Sequence, residues 1–202
     1  MNDHLSVHPK FSNTLYKILD TAFLLFVEKG YDTVTITDIY KQTGVSRGAV
    51  RGYFNQKIEL LNVLASEVLE EINRNVFTIT EDTSLSFQEK LTQLLELPYQ
   101  HPNHFNLVQQ ADNIVDPEKK LITFKNFFEE SKTHLFQFFD TNIHSLQTTN
   151  KQIQGYSSAD IAILLFSFFE SLYENSLPKV AQCSKETIQK NIDFILRIDP
   201  KE

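Results

Sequence analysis

Apolar residues recur every three or four positions along most of this chain, and that spacing predicts amphipathic helices. The first clear segment runs from Phe11 to Lys29, and Gly30 follows it as the expected helix stop. Alternating β-branched runs bounded by tight-turn pairs are missing from the sequence, so strands have little support. We therefore predict an all-α protein of about nine helices. The later segments with helical spacing are residues 35–43, 47–54, 56–76, 87–97, 105–108, 117–143, 157–175 and 184–198.

Two short helices near the N-terminus are predicted from their capping residues. Thr35 and Asp38 have the spacing of a capping box, in which each side chain satisfies a free amide of the first turn. Gly44 is placed to end this helix, and Ser46 offers a second N-cap for a helix from Arg47 to Phe54. Two short helices joined by a turn that contains glycine are typical of the helix-turn-helix motif.

The charge is unevenly divided along the 202 residues. The formal net charge is −7, but residues 1–60 carry seven Lys and Arg against six Asp and Glu, whereas the remainder carries twelve against twenty. Residues 39–58 hold four cations and no acid. Because Lys and Arg supply most of the affinity for a phosphate backbone, this window is the surface predicted to face nucleic acid. Its cations are Lys41, Arg47, Arg51 and Lys57.

The chemistry of catalysis and of metal binding has little support in the sequence. A single cysteine, Cys183, excludes an internal disulfide, and His101 and His104 flank a proline without an evident third ligand. No phosphate loop, catalytic triad or paired carboxylate frame is recognisable. No signal peptide or membrane span is evident, so we expect a cytoplasmic protein without a metal, a cofactor or an enzymatic activity.

From Phe26 to Leu61 the sequence reads FVEKGYDTVTITDIYKQTGVSRGAVRGYFNQKIELL and resembles the DNA-binding signature of the TetR family of bacterial transcription regulators. The resemblance implies a helix-turn-helix DNA-binding domain over residues 1–55 and an effector-binding and dimerisation domain over residues 56–202. It further implies a homodimeric repressor that a small molecule releases from an inverted-repeat operator. The family places an aromatic residue where this chain has Arg51, and a bulky residue where it has Gly52.

The second short helix is the expected reader of DNA. Arg47 and Arg51 lie four positions apart and share a face, and Gly48 and Gly52 form an adjacent flat stripe. We expect the glycines to let the helix sit close to the groove wall, with Arg47 on a guanine edge and Arg51 on a phosphate or a second base. The resemblance adds backbone contacts from other residues. The predicted DNA-binding set is Thr35, Thr37, Ser46, Arg47, Gly48, Arg51, Tyr53 and Lys57.

The last two helices resemble the pair that forms a four-helix bundle between two protomers of this family, although an ordinary intramolecular core is also compatible with their pattern. The predicted dimer interface is Ile161, Leu165, Phe168, Leu172, Ile188, Ile192 and Ile195.

Seventeen phenylalanines suggest an aromatic-lined pocket for an apolar or aromatic effector, although phenylalanines at helical spacing also serve as core. The predicted pocket residues are Phe105, Phe124, Phe127, Phe128, Phe138 and Phe169. A DNA-binding interaction protein, whose body docks a protein partner, is the alternative, and it predicts an exposed apolar patch.

Overall fold

The computed structural model describes residues 12–114, 122–174 and 185–196, with side chains at all of these except 122–131, 168–174, 185, 187 and 188. Within these ranges the protein consists of nine α-helices, as predicted, and the ranges contain no strand. None of the described helices is long and apolar enough to cross a bilayer. The helices are α1 (Asn13–Lys29), α2 (Ile36–Thr43), α3 (Arg47–Tyr53), α4 (Lys57–Glu81), α5 (Phe87–Gln100), α6 (Pro102–Asp112), α7 (Ile122–Gln147), α8 (Ser158–Glu174) and α9 (Lys185–Leu196).

The chain divides into two compact units, of which the first contains residues 1–72 and 101–125. This unit is larger than the predicted DNA-binding domain of residues 1–55, since it also takes in the first part of α4 and the whole of α6. Helix α1 packs against α2 and α6, and its apolar face is fully buried. Phe23 and Phe26 are the largest buried side chains of that face. The buried face of α1 therefore fixes the position of α2, and α2 contacts α3 in turn.

The second unit contains residues 73–100 and 126–202, and in it α5 packs against α8 and α9. Leu91 and Leu94 of α5 are fully buried, as is Ile192 of α9. Polar side chains also join α5 to α9. The Gln88 Nε2 donates to Asp193 Oδ1 at 3.0 Å, and the Thr92 hydroxyl donates to Gln189 Oε1 at 3.1 Å. Gln189 Nε2 also donates to Asp193 Oδ1 at 2.8 Å, so the polar side chains of the two helices form one hydrogen-bonded network.

Several helix ends differ from the prediction: α6 is longer than 105–108 at both ends, α7 continues past residue 143 to Gln147, and α4 and α5 also end later than expected. Helix α4 continues through the polar stretch beyond Val76 as far as Glu81, because the hydroxyls of Thr78 and Thr80 bond back to carbonyls of the preceding turn and Thr80 is itself buried. Pro98 lies inside α5 and does not end it. Its missing N–H removes one helical hydrogen bond near the C-terminus, and Pro98 itself is buried.

The polar segment between α7 and α8 is tied to the second unit. Ile153 in its middle is fully buried. The Gln147 amide donates to the carbonyls of Ile153 and Tyr156 at 3.0 and 2.7 Å, and the Asn150 amide donates to Leu196 O at the end of α9. This loop therefore contributes a side chain to the core.

Candidate nucleic-acid interface

The predicted capping box starts α2. The Thr35 hydroxyl accepts from the Asp38 N–H at 3.2 Å and donates to Asp38 Oδ2 at 2.6 Å, and the Thr35 N–H donates to the same oxygen at 2.9 Å. These bonds to the ionised carboxyl group hold the pKa of Asp38 below its usual range. The capping role of Thr35 is confirmed, and its contact with a phosphate stays a prediction. Thr37, in the first turn of α2, is half-buried.

A tight turn joins α2 to α3. Gly44 has a φ of +68°, in the left-handed region that favours glycine, and it ends α2 as predicted. The Thr43 hydroxyl accepts from the Val45 N–H at 3.1 Å. Ser46 then caps α3, with its hydroxyl accepting from the Ala49 N–H at 3.2 Å. A helix of only two turns is stable here because both its start and the preceding turn are satisfied by local hydrogen bonds.

The two faces of α3 differ in chemistry. Val50 is fully buried and Phe54, directly after the helix, is 6% exposed, so that both anchor α3 to the first unit. Arg47 and Arg51 are exposed on the other face, and within the described residues neither forms a salt bridge. Their guanidinium groups are therefore available to a ligand.

Nothing in the described structure of this protein requires glycine at positions 48 and 52. Both glycines are exposed, both have ordinary helical φ angles, and a Cβ built at either position meets no atom within 4 Å. Glycine in a helix is less favourable than alanine by about 0.5–1 kcal/mol. The flat stripe of Gly48 and Gly52 therefore has no explanation in the packing of the described residues.

Tyr53, the last residue of α3, is 45% exposed. Its hydroxyl lies 3.3 Å from the Oγ of Ser12, the residue whose side chain caps α1 by accepting from the Leu15 N–H. The start of α1 and the end of α3 are thus linked at the same exposed edge of the first unit.

Lys57, the first residue of α4, is less available than the sequence suggested. Its Nζ donates to the carbonyls of Tyr31 and Asp32 in the turn between α1 and α2, and it lies 4.1 Å from the centre of the Tyr31 ring. Burial lowers the pKa of this amine, and the charge of Asp32 partly opposes that effect. Two of the three ammonium donors are engaged, which leaves one for a phosphate.

The residues of the predicted dimer interface differ in exposure. Ile161, Leu165 and Ile192 are buried within the single chain, and the interface stays a prediction. Ile195 is half-buried. Phe168, Leu172 and Ile188 lie outside the residues whose side chains are described.

Other apolar residues of α8 and α9 are exposed instead. Ile163 and Leu164 are 51% and 60% exposed, and Phe194 is 83% exposed. Asp160 and Ser167 are also exposed, and they lie three or four positions from Ile163 and Leu164, so these residues share one face of α8. The sequence of α8 is apolar around most of its circumference, and this pattern does not specify which face packs inside the protomer.

Of the predicted pocket residues, only two have described side chains. Phe105 of α6 is buried in the first unit. Phe138 of α7 belongs to the second unit, where its ring lies 5.7 Å from those of Phe87 and Phe139, and the Lys90 Nζ lies at the same distance from its centre. Phe124, Phe127, Phe128 and Phe169 lie outside the residues whose side chains are described. The pocket stays a prediction.

His101, the N-cap residue of α6, and His104 within the helix are neighbours although Pro102 lies between them. The rings of His101 and His104 stack with centres 5.5 Å apart, and His104 is buried with its ring edge on Phe23. Among the described residues, no group of three His, Cys, Asp or Glu side chains is placed to hold a metal ion.

Comparison with known proteins supports the resemblance seen in the sequence. Residues 18–64 match the family model described as "Bacterial regulatory proteins, tetR family". The "Probable HTH-type transcriptional regulator YttP" of Bacillus subtilis is 34% identical over 113 residues, and this match spans about half the length of each protein, 54% of this chain and 54% of YttP. The "Transposon Tn10 TetC protein" of Escherichia coli is 23% identical over 201 residues, which cover 95% of each chain.

The fold is also that of solved regulators. The crystal structure of the TetR family transcriptional regulator PfmR from Thermus thermophilus superposes with a TM-score of 0.65 and 20% sequence identity, over 93% of this chain and 97% of PfmR. At this identity the likeness concerns the fold, which confirms the predicted all-α architecture beyond the matched N-terminal segment.

Proposed function

We propose that this chain, whose residues 18–64 match the model of the tetR family of bacterial regulatory proteins, is a homodimeric, cytoplasmic repressor that a small-molecule effector releases from operator DNA. The observation that carries the proposal is the exposed face of α3. Two arginines without a salt bridge in the described structure, Arg47 and Arg51, stand beside two glycines for which the described packing gives no reason. A short, well-capped helix with this surface suits the major groove.

The two arginines have different proposed roles. Arg47 lies in the first turn of α3, and the N-terminal residues of a recognition helix are the ones that reach base edges. Its guanidinium can bond to both O6 and N7 of a guanine, which contributes about 1–3 kcal/mol of discrimination against other bases. Arg51 lies one turn later, where we propose a phosphate or a second base. Thr35, Thr37, Tyr53 and the remaining donor of Lys57 would hold the helix in register.

The acidic charge of the rest of the chain favours sequence-specific binding of DNA over non-specific binding. Residues 61–202 carry twelve cations against twenty acids, so this part of the protein repels phosphate. A dimer doubles the few cationic contacts of one protomer. We propose that two copies of α3 read half-sites about 34 Å apart, which is one turn of DNA, or a small multiple of that distance.

We propose that the dimer forms through the exposed apolar residues of α8 and α9, namely Ile163, Leu164 and Phe194. An apolar ring that is 83% exposed is costly in water, and a second copy would bury it. Ile195, half-buried on α9, stays in the proposed interface, whereas the three core residues named above do not.

The proposed effector is an apolar or aromatic small molecule, bound in the body among phenylalanines. Support comes from composition: the chain has 17 Phe, and ligand pockets are lined mainly by apolar and aromatic side chains. Phe138 shows the type of environment, with two other aromatic rings and one lysine around it.

The test is selection of bound fragments from a genomic DNA library by the purified protein, followed by a salt series on the best fragment. We expect an inverted repeat, and an affinity that falls steeply with salt in proportion to the phosphates contacted. Arg47→Ala should relax the base preference, whereas Lys41→Ala should weaken binding equally on every sequence. Failure to enrich any sequence would refute the proposal.

The exposed apolar side chains of α8 and α9 also favour a second candidate, in which the body docks a different protein. Sedimentation of the pure protein separates the two. A dimer that dissociates when Phe194 is replaced by serine supports self-association, and a stable monomer with an intact DNA-binding surface supports the docking of another protein.

A further inference from the structure

The side-chain amide of Gln110 joins α6 to the end of α1. Its Nε2 donates to Phe26 O at 2.9 Å and also to Asn106 Oδ1 one turn earlier in α6, and its Oε1 accepts from the Tyr31 N–H at 2.6 Å. The two residues contacted in the first part of the chain lie 84 and 79 positions before Gln110. The Nε2 and the Oε1 of the Gln110 amide therefore both bond to the turn at the end of α1.

This turn needs such a partner because its backbone leaves the helix in an unusual conformation. Gly30 ends α1 with a φ of +81°, and its N–H donates to Phe26 O at 2.9 Å. Phe26 O therefore accepts from both Gly30 and Gln110. The Tyr31 N–H comes after the helix end, where the helical hydrogen-bond pattern no longer supplies an acceptor, and Gln110 supplies one.

Tyr31 connects this turn to the first residue of α4, Lys57. Its ring packs edge-on against Phe26 with centres 5.4 Å apart, and it lies under the Lys57 ammonium at 4.1 Å. The Tyr31 carbonyl accepts from the same ammonium. The backbone N–H and C=O of Tyr31 are thus held by Gln110 and Lys57 respectively, so the position of the lysine depends on a turn that Gln110 fixes.

We propose that Gln110 is a positioning residue for operator binding, which acts by holding the turn that places the Lys57 ammonium at the start of α4. The inference rests on the proposed function, because Lys57 is one of the proposed phosphate contacts. It assigns to α6, outside the helix-turn-helix, direct control over a DNA-facing cation of the same unit. A displacement of Gln110 releases Tyr31 and with it Lys57.

The first test does not involve DNA. Hydrogen exchange of the Tyr31 amide is compared in the full-length wild-type protein, in Gln110→Leu and in Gln110→Glu. Leucine keeps the size but makes no hydrogen bond, so we expect exchange at least tenfold faster. Glutamate keeps an oxygen for the Tyr31 N–H, and exchange should stay near that of the wild type. Gln109→Leu is the matched control, because the Gln109 side chain is half-buried on the same helix and makes no hydrogen bond within the described residues. Unchanged exchange in Gln110→Leu overturns the inference.

The second test is a double-mutant cycle on operator affinity, with salt dependence as the readout that general destabilisation does not move. Gln110→Leu should lower affinity and reduce the salt slope by about one unit per protomer, the effect expected for one lost phosphate contact. In a Lys57→Met background it should have no further effect. If Gln110→Leu weakens binding by the same factor in the Lys57→Met background as in the wild type, or if it leaves the salt slope unchanged, Gln110 does not act through Lys57. If the wild type itself binds no DNA, the proposed function fails, whereas the exchange result still decides whether Gln110 holds the turn.

Discussion

Replacing Gly52 by alanine is expected to make this protein more stable and its binding to DNA weaker. Gly52 lies within α3, has an ordinary helical φ, and offers open space to a Cβ. Alanine is therefore accepted without strain and is favoured in a helix by about 0.5–1 kcal/mol. For a chain of this size a change of 1 kcal/mol moves the melting temperature by about 2–4 °C.

The expected loss of binding has a separate cause. The open space around Gly52 belongs to the face of α3 that carries Arg47 and Arg51, and this face is proposed to approach the groove closely. An added methyl group in a closely packed contact typically costs about 1–3 kcal/mol, which corresponds to a dissociation constant that is roughly 5- to 150-fold larger. The two effects have opposite signs, so reduced stability cannot be the cause of reduced binding.

Two measurements check this prediction: a urea unfolding curve, and fluorescence anisotropy with the duplex selected from the library. Gly155→Ala is the matched control, because Gly155 is also exposed and open to a Cβ but lies in the loop between α7 and α8. It should leave DNA affinity unchanged. If Gly52→Ala is more stable and binds DNA as tightly as the wild type, the close approach of α3 through its glycines is refuted.

Three further predictions follow from the structure. The hydrogen bonds from Thr35 lower the pKa of Asp38, so these bonds stabilise the fold above pH 3.8, the usual pKa of the carboxyl group, and the stabilisation is lost as the pH falls through the lowered pKa. Asp38→Asn should therefore lower the urea midpoint at neutral pH. If the difference in midpoint between Asp38→Asn and the wild type stays the same in strong acid, the prediction is contradicted. Ile153→Ala should lower the free energy of unfolding by about 2–5 kcal/mol, because the side chain is fully buried, whereas Gln152→Ala beside it should change little in the same denaturation experiment. Phe194→Ser should shift the pure protein toward monomer in sedimentation velocity, and an unchanged dimer would place the interface elsewhere.

Local hydrogen bonds explain why the N-terminal helices could be predicted from sequence. The capping box of Thr35 and Asp38 closes over three positions, as does the bond from Ala49 to Ser46. Gly44 adopts the left-handed conformation that its place after a short helix required. Signals of this kind involve residues close in sequence, so a single chain displays them completely.

The choice of which face packs inside the protomer could not be predicted in the same way. Helix α8 is apolar on several sides, and only the placement of its neighbours decides that Ile161 and Leu165 are buried whereas Ile163 and Leu164 are exposed. The hydrogen bond between Gln110 and Tyr31 spans 79 positions and has no counterpart in local spacing. Long-range partners depend on how helices are arranged, and periodicity alone does not specify that arrangement.

The pairing of α5 with α9 also has a consequence for synthesis on the ribosome. The bonds from Gln88 to Asp193 and from Thr92 to Gln189 span 105 and 97 positions, so α5 emerges long before the helix that covers it. The side chains that cap α1, α2 and α3 lie within three positions of the amides they bind, so these caps do not depend on later parts of the chain. A nascent chain that stalls before α9 has emerged therefore has capped N-terminal helices, while α5 still lacks the helix that packs against it, and apolar surface exposed in this way is prone to aggregation.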